Sequence, residues 1–240
     1  MKKYFILWIS LLAVVAAAAQ PASREARYYQ AYQKNNLAQL KAIIQEMEAE
    51  YRQAPNPVAA LALAKAKYGA VGACFAHQDE ASAEQLLDEA AKQTKKLLKE
   101  GGGAAAHALY SGILGMKVAL APLKGPFLGA QASKNAARAM ELEPDNPFVR
   151  LQHSNNLFYT PPAFGGDLQK AIEGFRLACQ GFEAQGTEHN WAYLQCLAML
   201  GQALHADGQK DNAHSAYQKA LAAAPEFSWV KDKLLPELEQ

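Results

Sequence analysis

Six histidines and three cysteines are the side chains of this sequence best suited to metal binding or nucleophilic catalysis. The histidines are His77, His107, His153, His189, His205 and His214. No two of them have the H-E-x-x-H spacing of a zinc site, and no carboxylate–histidine set indicates a metal. No G-x-S-x-G nucleophile motif occurs, and residues 101–103 (Gly-Gly-Gly) lack the Lys-Ser/Thr that follows a phosphate-binding loop. The sequence therefore predicts a protein that is not an enzyme and has no metal and no cofactor.

The three cysteines are Cys74, Cys179 and Cys196, and none belongs to a C-x-x-C pair, so neither zinc nor dithiol redox chemistry is indicated. An odd number leaves at least one thiol free or paired between chains. Cys74 is interpreted as a small apolar core residue. Cys179 and Cys196 fall on consecutive predicted helices, where they either pack in the same way or form a disulfide.

The composition predicts an all-α protein. The 240 residues include 49 Ala but only 7 Val, 6 Ile and 3 Thr. Alanine is the best helix former and β-branched residues carry most sheet propensity, so a sheet-built enzyme is disfavoured. The 24 Lys+Arg nearly balance the 23 Asp+Glu, which argues against a nucleic-acid partner.

The first nineteen residues have the pattern of a secretory signal peptide. Lys2 and Lys3 precede an apolar run from Tyr4 to Ala19 that ends in small residues. The run is short for a bilayer span of about 20 residues, so cleavage before Gln20 is favoured over an uncleaved membrane anchor. No later stretch is expected to span a bilayer. The mature chain, residues 20–240, is predicted to be one periplasmic or secreted domain.

Beyond residue 20, apolar residues recur at three- and four-residue steps between short polar or Pro/Gly breaks. This pattern predicts eleven helices. One runs between an N-cap at Asp79 and the glycines at 101–103; the other expected ranges are 24–34, 37–53, 58–76, 107–121, 131–142, 148–159, 168–184, 188–206, 210–223 and 228–238.

A repeat motif closes the sequence. Its positions are Leu197, Leu200, Gly201, Leu204, Gly208, Ala213, Tyr217, Ala220 and Pro225. This segment resembles the tetratricopeptide repeat (TPR), in which small residues let the two helices of a hairpin, A and B, approach closely. Further copies surround Ala132 and Ala171, a fainter one surrounds Ala83, and the clearest repeats span residues 130–225. The resemblance implies a right-handed superhelix (an α-solenoid) of antiparallel hairpins, with the A helices on its concave face. Trp229, Val230, Leu234 and Leu235 are expected to cap its end.

Two proline-containing insertions, residues 122–129 and 159–167, should both connect an A helix to a B helix and emerge at one end of the solenoid. Phe127 and Phe164 are interpreted either as plugs of the seam between hairpins or as a binding lip, and Asp167 as a helix cap. The second insertion, with Ala171 and Phe175 after it, resembles the T-component of TRAP transporters over about residues 151–182. That resemblance implies an alternative function as a ligand-binding accessory of a solute transport system.

The phase of the seam predicts which residues face the concave groove. They are Val149, His153 and Asn156 on one A helix and Ala198, Gln202 and His205 on another. TPR domains that clamp a carboxylate resemble one another in having Lys, Asn and Arg there, which Val149 and Ala198 do not supply. The candidate binding residues are therefore His153, Asn156, Tyr159, Phe164, Gln202 and His205. They predict a non-catalytic scaffold for a protein or peptide; the alternative is a solvated face with no ligand.

Overall fold

The computed structural model describes residues 22–239, and the predicted signal peptide lies outside them. The helices are α1 (Arg24–Gln33), α2 (Leu37–Gln53), α3 (Pro57–Ala76), α4 (Glu80–Lys99), α5 (Ala104–Leu120), α6 (Gly125–Leu142), α7 (Pro147–Tyr159), α8 (Leu168–Gln185), α9 (Trp191–Ala206), α10 (Lys210–Ala223) and α11 (Leu235–Leu238). A π-helical turn, Trp229–Leu234, leads into α11, and two short 3-10 turns, Pro122–Lys124 and Pro162–Phe164, precede α6 and α8. Residues 22–239 contain no strand, which confirms the all-α prediction.

Seven of the helices begin at a polar side chain that accepts a hydrogen bond from a free backbone N–H of the first turn. These N-caps are Ser23, Asn36, Asn56, Asp79, Asn146, Asp167 and Asn190. The predicted caps at Asp79 and Asp167 are confirmed. The short cap residues place the helix starts and so set the register in which the repeats stack.

The starts of α5, α6 and α9 differ from the sequence prediction by three residues or more. α6 begins at Gly125 and not at residue 131, so Phe127 lies in its first turn and the first insertion is shorter than expected. Pro126 does not oppose this start, because proline fits the first turn of a helix, where its missing N–H has no intrahelical role. α5 begins earlier, at Ala104, and α9 begins later, at Trp191.

The helices pair as five antiparallel hairpins, with odd-numbered A helices and even-numbered B helices through α10. Within each hairpin a connector joins the A helix to the B helix. The connectors of neighbouring hairpins contact one another at one end of the molecule. His77 Nε2 lies 2.8 Å from the carbonyl oxygen of Asn35, and Gln169 Nε2 donates to Asp207 Oδ1 at 2.6 Å. We call this end the connector end; both insertions emerge there.

The last hairpin packs as the repeat motif predicts. A Cβ on Gly201 would lie 2.1 Å from the Tyr217 ring, so only glycine lets the aromatic ring seal the seam. Ala213 and Ala220 are fully buried, and Gly208 has φ +76°, a left-handed conformation that glycine adopts without steric cost. The expected end cap is also confirmed, since Val230 and Leu234 are buried and Trp229 and Leu235 are half-buried against the core.

Helix α1 reaches across the superhelix to the last repeat. Lys34 Nζ lies 2.7 Å from Glu226 Oε2, the Tyr29 hydroxyl donates to the carbonyl oxygen of Ala223 at 3.1 Å, and Ser228 Oγ donates to that of Gln33 at 3.2 Å. The solenoid therefore closes on itself at this point, and part of its concave face is covered by its own first helix.

Helix α3 is long and apolar enough to cross a membrane by length and composition alone, which was not expected of any stretch after residue 20. Its most apolar window has a mean hydropathy of 1.3, and 61% of that window is buried inside the protein. The helix packs between α2, α4 and α5. A long apolar helix of this kind is what the centre of an α-helical core requires.

Candidate functional site

The concave face is defined by a contact that spans three A helices. The Tyr68 hydroxyl on α3 donates to Gln152 Oε1 on α7 at 3.0 Å, and both groups pass over Gly112 of α5, whose Cβ would lie 2.3 Å from Gln152 Oε1. Residues three or four positions after Tyr68, Gly112 and Gln152 lie one helical turn nearer the connector end. They therefore lie on the same concave face.

The side of each A helix that faces the groove differs from the predicted side. Val149 and Ala198, expected to face the groove, are fully buried in the seams between helices. On α7 the concave positions are Gln152, Asn155 and Tyr159, about one residue away from the predicted set. The irregular repeat length is the physical reason, because longer helices change the rotation at which each A helix meets its neighbours.

An aromatic cluster closes the half of the concave face far from the connector end. The Trp191 ring at the start of α9 lies 6.4 Å from Tyr28, 5.5 Å from Tyr32 and 6.4 Å from Tyr68. Phe227 stacks on Tyr32 at 5.9 Å. These rings bring α1, α3 and α9 together across this half of the groove.

Three polar side chains, those of Tyr68, Gln152 and Gln195, are buried beside that cluster. Burial raises the pKa of Tyr68 to about 12, and its hydrogen bonding to Gln195 and Gln152 acts in the opposite direction. Tyr68 is therefore a neutral donor at physiological pH. Gln152 and Gln195 are both buried, and their amides hold the hydroxyl at the boundary of the closed half.

The other half of the concave face is open, and glycines line its floor. Gly72 on α3 and Gly115 on α5 lie one turn beyond the Tyr68–Gln152 contact; both are exposed, and a Cβ on either would meet no atom within 4 Å. Ala119, one turn further on α5, is exposed as well. We call this surface the open trough; it is bordered by exposed Phe75 on α3 and Tyr159 on α7.

The α7–α9 wall of the trough contains two of the predicted binding residues. The Tyr159 hydroxyl donates to Met199 Sδ at 3.6 Å, and Gln202 Nε2 approaches the same sulfur at 3.9 Å. Phe158 supports Tyr159 from the side, with ring centroids 4.8 Å apart and an interplanar angle of 69°. Met199 itself is buried, so it fixes both polar groups at the edge of the trough.

The two insertions present apolar side chains to solvent. Phe164 is 76% exposed, Phe127 is 71% exposed and Leu123 is 98% exposed. The plug interpretation of both phenylalanines is therefore wrong, because neither ring is buried in a seam between hairpins. The insertion before α8 folds on itself: Phe164 N–H donates to Pro161 O at 2.8 Å, and Gly165 N–H to Pro162 O at 3.1 Å. This tight turn directs the ring outward.

The remaining predicted residues do not join the trough as one cluster. His153 and Asn156 are half-buried on α7. Burial, and secondly the charge of Arg150, lowers the pKa of His153, so the ring is neutral at physiological pH. His205 lines a separate cleft of about 210 Å³ next to the end cap, with Phe158, Tyr217, Leu234 and Glu237. Gln202, whose amide approaches Met199 in the trough wall, also borders this cleft.

A second cleft, of about 310 Å³, lies where α7 and α9 begin, away from the connector end. Lys65 borders it, with Nζ 3.9 Å from the centre of the Phe148 ring. Burial lowers the pKa of Lys65 to about 8, opposed by the charge of Glu143. Lys65 lies on an apolar helix and no motif surrounds it, so the residue pattern does not mark it as part of a site.

Four residues of the open trough and its wall were not among the candidates predicted from the sequence: Gly72, Phe75, Gly115 and Met199. A glycine inside a helical pattern is a signal that could have found the first and third, since it costs helix stability unless packing or function requires it. Among residues 22–239, no group of three or more His, Cys, Asp or Glu side chains could hold a metal ion. The open trough therefore offers a binding partner a concave shape, apolar surface area and a few amide groups.

No family model matches the chain, and no curated protein matches it. In structure it is similar to TTC0263, a thermophilic TPR protein in Thermus thermophilus, with a TM-score of 0.57 and 18% identity over 91% of this chain and 100% of that one. It is also similar to the HusA haemophore from Porphyromonas gingivalis, with a TM-score of 0.57 and 22% identity over 76% of this chain and 92% of that one. At these identities the likeness concerns the fold. The chain therefore has a TPR-like helical-repeat fold.

Proposed function

We propose that the protein is a non-catalytic interaction scaffold that binds an apolar segment of a protein or peptide partner in the open trough. The TPR-like fold supports this class of function in general terms. The trough narrows the proposal to one half of the concave face, because Trp191 and α1 cover the other half.

The observation that carries the proposal is the pair Gly72 and Gly115. Each sits inside a long helix, where glycine is less favourable than alanine by about 1 kcal/mol. Neither is required by packing within the protein, since space is free at both Cβ positions. A floor without side chains lets the main chain of a partner approach two helices closely, which is the use of glycine at contact surfaces.

The border of the trough supplies apolar contact area. Phe75, Tyr159 and Phe164 are exposed aromatic side chains, and aromatic residues dominate the binding energy of many interfaces. The trough residues named above are uncharged, so an acidic or basic tail is not the partner that this surface favours. We propose an apolar segment with main-chain polar groups that meet Gln202 and the Tyr159 hydroxyl.

Export is part of the same proposal. The positively charged start and apolar run of residues 1–19 support a signal peptide and a periplasmic or secreted location. A partner would then be another exported or envelope protein.

Co-purification from an envelope fraction tests the proposed site. Gly72→Leu and Gly115→Leu place a side chain in the trough at exposed positions where an added Cβ meets no atom within 4 Å. Both variants should therefore fold and lose the partner. Gly129→Leu is the matched control, because Gly129 also lies in a helix with free space at Cβ but on α6, a B helix. Equal recovery of the partner with all three variants would refute the trough as the binding surface.

Haem carriage is a second candidate function. One similar structure is named a haemophore, and the exposed rings of Phe75, Tyr159 and Phe164 offer an apolar surface to a flat ligand. Titration of the purified protein with haem, followed by absorbance, tests it. Saturable one-to-one binding that is lost in Gly115→Leu, without a protein partner in the pull-down, would favour the carrier over the scaffold. The TRAP T-component alternative is not favoured by the structural similarities.

A further inference from the structure

Cys179 and Cys196 come together in the seam between the fourth and fifth hairpins. Cys179 lies on α8 and Cys196 on α9, and both are buried. Their Sγ atoms are 2.8 Å apart. The third cysteine, Cys74, lies on α3, where Lys41 and Asp79 are its charged neighbours, so it does not compete for either thiol.

We infer that Cys179 and Cys196 form a disulfide that joins α8 to α9 in the exported protein. The two helices are antiparallel neighbours connected by the short segment 186–190, so the bond needs no movement of distant parts of the chain. An exported chain meets an oxidising compartment, where such bonds persist. This inference rests on the proposed export and not on which ligand the open trough binds.

Other roles of the pair fit the site less well. Burial, and secondly the neighbouring Cys179, raises the pKa of Cys196 well above its ordinary value, so Cys196 does not supply a reactive thiolate in the folded protein. The surroundings also lack further metal ligands, because no group of three or more candidate ligands occurs in residues 22–239. As a plain apolar contact, two sulfur atoms would not need this close approach.

The bond forms by thiol–disulfide exchange with a disulfide-bearing oxidant of the export compartment. The thiolate of one cysteine attacks a sulfur of that disulfide, forms a mixed disulfide and releases one thiolate of the oxidant. The second cysteine, as its thiolate, then attacks the sulfur of the first and releases the other oxidant thiolate. Two protons and two electrons leave the protein, and the oxidant becomes a dithiol. Because both sulfurs are buried after folding, the exchange takes place before α8 and α9 finish packing.

The bond would act on the wall of the trough. It closes a loop that contains the α8–α9 connector and fixes α9, which carries Met199 and Gln202, to the fourth hairpin. Cross-linking lowers the entropy of the unfolded chain and so stabilises this pair of hairpins against separation. The Tyr159–Met199 contact, which joins the same two hairpins, would be retained at higher temperature in the oxidised protein.

Thiol counting on the full chain, expressed with its N-terminal segment in an exporting host, tests the inference. Protein denatured and alkylated without reductant should carry one alkyl group, on Cys74, and three after reduction. Cys179→Ala should carry two in either case. The matched control Cys74→Ala should carry none before reduction and two after it. Three alkylated thiols in the non-reduced wild type, both after export and after refolding with oxidised and reduced glutathione, would overturn the inference.

Thermal unfolding gives a second readout. Reduction should lower the Tm of the wild type and of Cys74→Ala by about 5–10 °C, as expected for a loop of this size. The double variant Cys179→Ala/Cys196→Ala should have the same Tm with and without reductant. An equal effect of reductant on all three proteins would show that the Tm shift does not come from this bond and would contradict its proposed role.

Discussion

The Tyr68 hydroxyl reaches across α5 to Gln152 Oε1, 3.0 Å away, because Gly112 leaves no side chain between them. This contact divides the concave face. On one side Trp191 and α1 fill the superhelix, and on the other the floor is open and lined by small residues.

Replacing Gly112 tests that division. In Gly112→Ala the new Cβ would lie 2.3 Å from Gln152 Oε1 and 2.8 Å from the Tyr68 hydroxyl, so the hydrogen bond must break or α5 must shift. We expect a loss of about 1–3 kcal/mol in the free energy of unfolding, measured by urea denaturation. Gly115→Ala, one turn away with free space, should instead gain a few tenths of a kcal/mol or more, up to about 1 kcal/mol. Equal effects of the two substitutions would contradict the geometry.

Trp191 should control closure of the superhelix. Trp191→Ala removes the ring that contacts Tyr28, Tyr32 and Tyr68, and a loss of about 3–5 kcal/mol in unfolding free energy is expected. Helix α1 should also become accessible to protease at residues 34–36, which limited proteolysis with mass spectrometry would detect. A variant as protease-resistant as the wild type would show that α1 is held by its polar contacts alone.

Phe164 should contribute to binding and little to stability. Its ring is mostly exposed, so Phe164→Ala should change the Tm by less than about 1 °C, in line with surface substitutions that break no specific contact. Recovery of the partner should fall. A large drop in Tm with unchanged helicity at low temperature would instead support the plug interpretation that the structure rejects.

Asp167 should stabilise the protein in a pH-dependent way. Hydrogen bonds from Lys170, first from its backbone N–H, hold the pKa of Asp167 below its ordinary value. A carboxyl with a lowered pKa in the folded state stabilises above its unfolded pKa of about 3.9, and this contribution is lost as pH falls through the folded-state pKa. Asp167→Ala should lower the Tm by about 2–4 °C at pH 7. The difference between variant and wild type should shrink near pH 3, and a constant difference across this range would exclude the charge as its cause.

The sequence predicted the parts of the fold that depend on local chemistry. Helix ends follow from caps such as Asp79 and breaks such as Pro225, and the last hairpin from Gly201 beneath Tyr217. These relationships lie within one or two turns of chain, where residue type and spacing decide the contact.

The phase of the groove and the exposure of the insertions could not be predicted in this way. Val149 and Ala198 are buried because each A helix rotates according to contacts with helices far away in sequence, such as the one between Tyr68 and Gln152. Closure by α1 joins residues nearly two hundred positions apart, as in Ser228 and Gln33. No local motif encodes these contacts, since they depend on how five irregular hairpins accumulate their twist.

Site-specific photo-crosslinking tests the central proposal most directly. A photoreactive residue at position 115, in the floor of the open trough, should form a covalent adduct with one partner in the intact cell envelope, whereas the same residue at position 129 on α6 should not. An adduct at position 129 alone, or the same adducts at both positions, would contradict a binding site in the open trough.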